Sequence, residues 1–153
     1  MVDLAVAEYQ SGRQLVFRFW STRDRLALGA MIRSVGYFEA CISTLKRTIN
    51  YLKKIRGYPS FQKDLKNLLP RTLTVLSGET ERKISDLRNS IQHLENQIQR
   101  GKVTEGQAVY LKPDQDRLEL GGHYILYSDL ATWLTDLHQC SLRLFDYFSK
   151  QKS

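Results

Sequence analysis

Residues 31–52, MIRSVGYFEACISTLKRTINYL, place apolar side chains at Met31, Val35, Phe38, Ile42, Leu45, Ile49 and Leu52. The intervals alternate between four and three, so one face of a helix is apolar over about six turns. The same periodicity predicts a helix that starts near Thr22 or Asp24, either of which can cap the free amides of a first turn. It ends at Gly57, with Pro59 behind it. Its outer face is cationic. Residues 12–56 hold ten cations (Arg13, Arg18, Arg23, Arg25, Arg33, Lys46, Arg47, Lys53, Lys54, Arg56) against two anions, Asp24 and Glu39. This stretch therefore carries +8 and the rest of the chain −1, which together give the net charge of +7.

Outward from this helix the pattern stays mainly helical. Upstream, QLVFRFW at 14–20 fits an extended segment as well as a helical extension. Downstream, Phe61 to Leu69 can form two helical turns before Pro70. A second clear helix opens with Ser77 as N-cap and Glu79 and Glu81 in the first turn, where negative charge complements the helix dipole. Ile84, Leu87, Ile91, Leu94 and Ile98 mark its apolar face, and Arg100-Gly101 ends it. Between 102 and 127, Gly106, Pro113, Gly121 and Gly122 break helices while AVYL, RLEL and HYILY have strand propensity, with PDQD as a turn. Ser128-Asp129 then caps a last helix with a stripe of Leu130, Trp133, Leu134, Leu137, Leu144, Phe145 and Phe148. The expected architecture is all-α: one domain over 1–153, an up-down bundle of three to four main helices with a small β-hairpin insertion near 108–126.

A chain of 153 residues with 42% apolar and 25% charged residues is the size and composition of one globular domain. No window approaches the roughly 18 uninterrupted apolar residues of a membrane span. Asp3 and Glu8 interrupt any leader-like run, so the expected compartment is the cytoplasm, with no membrane partner. Two cysteines, Cys41 and Cys140, sit among apolar neighbours and read as buried inert thiols. No glycine-rich phosphate loop and no metal-ligand spacing surrounds His93, His123 or His138, so neither metal nor cofactor is expected. His138 reads as a partly buried packing or hydrogen-bonding residue and His123 as a loop or strand-start residue. The basic helix is the electrostatic footprint of a polyanion binder, or else a solvated cationic face with no partner.

One stretch carries chemistry. Asp86-Leu87-Arg88-Asn89-Ser90-Ile91-Gln92-His93 sets a permanent cation, two small polar groups and an imidazole within two helical turns. An imidazole can take a proton from a hydroxyl nucleophile or return one to a leaving alkoxide. Arginine can hold a phosphate and neutralise charge that grows in the transition state. RNA carries its own nucleophile in the 2′-hydroxyl, so its cleavage needs little more. At about 100° per residue, Arg88 and His93 stand roughly 140° apart, whereas Asn89 and His93 are neighbours one turn apart.

These residues resemble the signature of the HEPN superfamily, an arginine followed after four to six positions by a histidine, with a polar residue directly after the arginine. Here it reads R-N-S-I-Q-H, with Arg88, Asn89 and His93 matching position by position. The continuation Leu94-Glu95-Asn96, the hairpin and the SDLATWL helix are similar to small prokaryotic HEPN proteins. The resemblance implies a helical homodimer in which motifs from two subunits form one metal-independent endoribonuclease site. It also implies a toxin or host-defence role, with a cognate antitoxin or defence-complex protein as a further partner. Catalysis then falls to Arg88 and His93 with Asn89 in support and Ser90 nearby. Glu39, the one acid well inside the basic helix, pairs with Arg88 or orients His93, or else forms a local ion pair with Arg33 or Lys46. Arg47, Lys53, Lys54 and Arg56 supply RNA phosphate contacts. The competing reading is a non-catalytic helical subunit that binds RNA or a partner through the basic helix.

Overall fold

The computed structural model describes residues 1–22, 25–57, 68–69, 73–103, 106 and 110–150. It is mostly helical, with α1 at Val2–Thr22, α2 at Arg25–Arg56, α3 at Gly78–Gln99 and α4 at Tyr127–Lys150. A small antiparallel sheet lies between α3 and α4, with β1 at Lys112–Pro113, β2 at Arg117–Leu120 and β3 at His123–Leu126, in that order. None of the described helices is long and apolar enough to cross a membrane.

The long amphipathic helix forms as its periodicity predicts. Phe38, Cys41, Ile42, Leu45, Ile49 and Leu52 are buried, while Met31 and Val35 are half-buried at its rim. Hydroxyls that fall on this stripe are satisfied within the helix. Ser34 Oγ donates to the Met31 carbonyl at 2.6 Å and Thr48 Oγ1 to the Thr44 carbonyl at 2.9 Å. The helix starts at Arg25, next to the expected boundary; of the two caps considered, Thr22 is the last residue of α1 and Asp24 lies outside the described residues.

The segment open to two readings, residues 14–20, is helical and belongs to α1. The buried residues of α1 are Ala5, Gly12 and Val16, small side chains spaced seven and four apart on one face. Small residues let the backbone approach α2 closely. A Cβ added at Gly12 would lie 2.9 Å from carbons of the Phe38 ring. Gly12 meets Phe38 while Glu8 lies by Cys41 and Thr44, so α1 and α2 run antiparallel.

α3 begins at its expected cap, where Ser77 Oγ accepts from the Thr80 amide at 3.2 Å. At its other end Gly101 takes φ +63°, and the amides of Gly101 and Lys102 donate to the carbonyls of Ile98 and Gln97, the two bonds of a Schellman turn. Ile84, Leu87 and Leu94 are buried. Lys46 of α2 reaches Glu81 and Ser85, and Glu39 lies near Glu95, so α3 is antiparallel to α2.

The β insertion holds three strands rather than a single hairpin. Its first strand is Lys112–Pro113, not AVYL at 108–111, of which only Tyr110 and Leu111 lie within the described residues. Pro113 can sit on this edge because it has no amide to offer. The expected turn at 113–116 is present, closed by the Asp114 amide on the Arg117 carbonyl at 2.8 Å. β2 and β3 are joined by Gly121-Gly122 with φ +61° and +82°, positive values that a two-residue hairpin turn requires and glycine adopts freely. Leu118 pairs with Ile125 and both point into the core, while Glu119 and Tyr124 face outward.

Tyr127 ends HYILY but is already the first residue of α4, so Ser128 and Asp129 lie inside the first turn instead of capping it. Leu130, Trp133, Leu134, Leu137 and Cys140 are buried as expected, but the stripe runs out: Phe145 is 70% and Phe148 41% exposed. α4 is antiparallel to α1, with Tyr9 near Tyr127 and Asp3 near His138. The short helix expected over 61–69 lies outside the described residues except for Leu68 and the buried Leu69.

The seam at Gly12 yields a stability test. Gly12→Ala gains about 1 kcal/mol in helix propensity but drives a methyl into the fully buried Phe38 ring, a kind of overpacking that costs about 1–3 kcal/mol. The expected net effect is a lower melting temperature by circular dichroism, restored in part by Phe38→Leu in the same chain. A melting temperature equal to or above that of the parent would show that the seam has slack.

Candidate functional site

On α3, residues spaced three and four apart (Asp86, Asn89, Ser90, His93 and Asn96) form a polar strip beside the apolar face of Ile84, Leu87, Ile91 and Leu94. With Gln92 and with His123 from β3 they line an open cleft of about 500 Å³. The far wall is set by the glycine turn. Gly121 packs against the middle of α3, where a Cβ would come 3.7 Å from Ser90 Oγ. Ser90 Oγ donates to the Asp86 carbonyl at 3.0 Å, which ties the hydroxyl to its own helix and leaves it a wall residue.

His93 is exposed, with Nε2 3.0 Å from Gln97 Nε2. An amide nitrogen only donates, so with the amide in this orientation the contact is a hydrogen bond when Nε2 is bare and the imidazole neutral. Asn89 stands one turn before it in the same cleft. Arg88 does not line the cleft; it is half-buried further round the helix, as its 140° offset from His93 dictates. Of the motif residues, the fold therefore brings together Asn89, Ser90 and His93 and leaves Arg88 apart.

Glu39 makes neither of the pairs considered for it. It is half-buried on α2, with no ion pair among the described residues, and burial together with the nearby Glu95 carboxylate raises its pKa. Lys46 is committed elsewhere, to Glu81 Oε1 at 3.0 Å and Ser85 Oγ at 2.8 Å. Lys53 joins it on Glu81, and Arg56 donates to the Leu69 carbonyl at 2.7 Å. Lys46 and Lys53, seven apart, share the face of α2 turned to α3. Arg47 and Lys54, one residue further round, stay exposed beside Tyr51, whose ring centre is 6.0 Å from the Lys54 ammonium. The four expected phosphate contacts thus divide into two tied cations, Lys53 and Arg56, and two on the open surface.

Burial pushes the Cys41 thiol up to about 12 and raises that of Cys140, so both thiols are protonated and inert, as their apolar neighbours suggested. His138 is more exposed than expected and pairs with Asp3 at 3.2 Å. His123 is the residue whose place in the cleft the sequence did not announce. Its position after Gly-Gly predicts a loop or a strand start, but only the packing of that turn near Ser90 brings it to the cleft that His93 lines. Among the described residues no three histidine, cysteine or carboxylate groups come together as a metal site needs.

Hydrogen bonds from Lys53 and Lys46 hold the Glu81 carboxyl below the ordinary glutamate range. Its stabilising effect is therefore complete above its unfolded pKa and is lost as the pH falls through the lower folded value. Glu81→Gln is expected to cost about 1 kcal/mol at neutral pH, the upper end for partly solvated pairs. In urea unfolding the gap between parent and variant should narrow steadily once the pH drops below about 4.3, the unperturbed value. A gap that is absent at neutral pH, or that persists undiminished in acid, contradicts this assignment.

Comparisons with family models, with curated protein sequences and with solved structures give no match for this chain.

Proposed function

We propose that this protein is a metal-independent endoribonuclease of the HEPN type. In this reading its four helices form an up-down bundle that works in the cytoplasm as a homodimer on single-stranded or loop RNA, in the manner of a toxin or host-defence effector. The observation that carries the reading is the place of His93: exposed on a helix, one turn after Asn89, in an open cleft of about 500 Å³ whose walls are polar. Its hydrogen bond with Gln97 suits a neutral imidazole, the form that can accept a proton from a 2′-hydroxyl. Asn89 can donate to the phosphate from the same wall. Arg88 supports the chemistry through assembly. A two-fold axis along this face of α3 sets two motifs around one substrate, so that each arginine stabilises charge on a phosphate beside the other copy's histidine.

The exposed Arg47 and Lys54, with Tyr51 between them, supply a second element of the reading. Cations beside an accessible aromatic ring suit a single strand, whose backbone meets the charge and whose bases stack. That same observation, together with the distance of Arg88 from the cleft lining, favours the second reading, a non-catalytic helical subunit that binds RNA or a partner.

Cleavage assays in EDTA separate the two. The first reading expects an upstream product ending in a 2′,3′-cyclic phosphate, no cut where the 5′ nucleotide is 2′-deoxy, and a rate lowered about 10²- to 10⁴-fold by His93→Ala. A divalent-metal requirement or cleavage of the 2′-deoxy substrate would sink it, and binding without turnover selects the second reading. For the interface, Arg47→Glu and Lys54→Glu should each weaken RNA binding and lower the salt slope by about 1. Lys53→Gln should change binding less, because its charge is already engaged by Glu81. Equal effects at Lys53 and Lys54 would show that the ion pair does not withdraw Lys53 from RNA.

A further inference from the structure

His123 lines the same cleft as His93 but comes from another element, the first position of β3. Its position is fixed by the backbone: the Gly121-Gly122 turn holds φ +61° and +82°, and Gly121 lies against Ser90. The ring itself has no structural task. His123 is exposed and, among the described residues, forms no hydrogen bond or ion pair.

Cleavage by a 2′-hydroxyl places the attacking 2′-oxygen and the departing 5′-oxygen on opposite sides of phosphorus. One proton must leave the first oxygen while another reaches the second. Two imidazoles that line one cleft from different elements can serve both sides in one step, which a single ring cannot do without moving. The two rings also differ in their contacts. Gln97 presents an amide donor to His93 Nε2, which matches an unprotonated ring nitrogen, while nothing comparable opposes a protonated His123. Asp86 is the one carboxylate among the described residues lining the cleft.

Resting on the ribonuclease reading above, we infer that His123 is the general acid of this site and His93 the general base. His93 takes the 2′-hydroxyl proton as the bond from the 2′-oxygen to phosphorus forms. His123 gives its proton to the 5′-oxygen as the bond from phosphorus to that oxygen breaks. The products are a 2′,3′-cyclic phosphate and a 5′-hydroxyl, with His93 left charged and His123 neutral. No oxidant or second substrate enters, and solvent in the open cleft restores both protonation states.

The test compares an RNA oligonucleotide with one cut site to the same oligonucleotide carrying sulfur in place of the bridging 5′-oxygen. A thiolate leaves without help because its conjugate acid is strong, about 8.5 for an ordinary thiol. His123→Ala should slow cleavage of the oxygen substrate by about 10²-fold or more and leave the sulfur substrate within a few-fold of the parent rate. His93→Ala should slow both. Equal slowing of both substrates by His123→Ala, or no effect on either, overturns the assignment while the ribonuclease reading stands. A parent protein that cleaves neither substrate overturns the ribonuclease reading and this role together. Circular dichroism of His123→Ala should match the parent, because the ring is exposed and unbonded.

Discussion

The packing of Phe38 is the constraint on which the other elements depend. Its ring is fully buried, closed on one side by the Gly12 backbone of α1 and met at 6.4 Å by Tyr9 and at 5.4 Å by Tyr127. Tyr127 is the point where β3 becomes α4, and the Arg13 guanidinium of α1 lies 4.0 Å from the centre of its ring. Three helices and the root of the sheet are therefore registered on one aromatic residue. The sheet in turn places its glycine turn near Ser90, and with it His123 in the cleft that His93 lines. A cleft that is open to solvent is thus built on a contact deep in the interior.

What the sequence discloses divides along the range of the interactions involved. α2 and α3 are legible because long side chains at spacings of three and four announce their buried faces, and because Ser77 and Gly101 mark ends through local hydrogen bonds. α1 is not legible in this way: its contact face is made of Ala5, Gly12 and Val16, chosen for close approach, so hydropathy scarcely rises where burial is deepest. Phe145 and Phe148 mislead in the opposite sense. They keep the helical period of the α4 stripe, but that end of the helix has no described element covering it to the same depth. Within the site, Asn89, Ser90 and His93 are neighbours on one helix and could be placed together from spacing alone. His123 joins them through a sheet and a turn packing, which no short pattern encodes.

Charge follows the same rule. Counted along the chain, the stretch from 12 to 56 presents a surplus of eight positive charges. In the fold, Glu81 from α3 gathers Lys46 and Lys53, separated from it by 35 and 28 residues, and the Leu69 carbonyl takes Arg56. These cations hold α2 to its surroundings. Arg47 and Lys54 differ from Lys46 and Lys53 by a single position, about 100° of rotation, yet that rotation takes them from an interhelical seam to open solvent. The basic helix is in part a fastening to α3, through Lys46 and Lys53, and in part an exposed cationic surface at Arg47 and Lys54.

The cleft itself is electrostatically incomplete for the chemistry proposed for it. A phosphate there meets two imidazoles and the Asp86 carboxylate, with no permanent cation among the described lining residues. The carboxylate opposes the approach of a phosphate, since like charges repel. Such a site offers two imidazoles for proton transfer but, among the described lining residues, no permanent cation for tight holding of a phosphate. The missing charge exists on the same helix, in Arg88, turned away by the helical repeat. In the proposed homodimer, a second copy docked along α3 would bring that charge to the substrate. Within the proposed function, assembly and catalysis are therefore one requirement: the monomer carries the groups that move protons, and the dimer adds the charge that holds the phosphate between them.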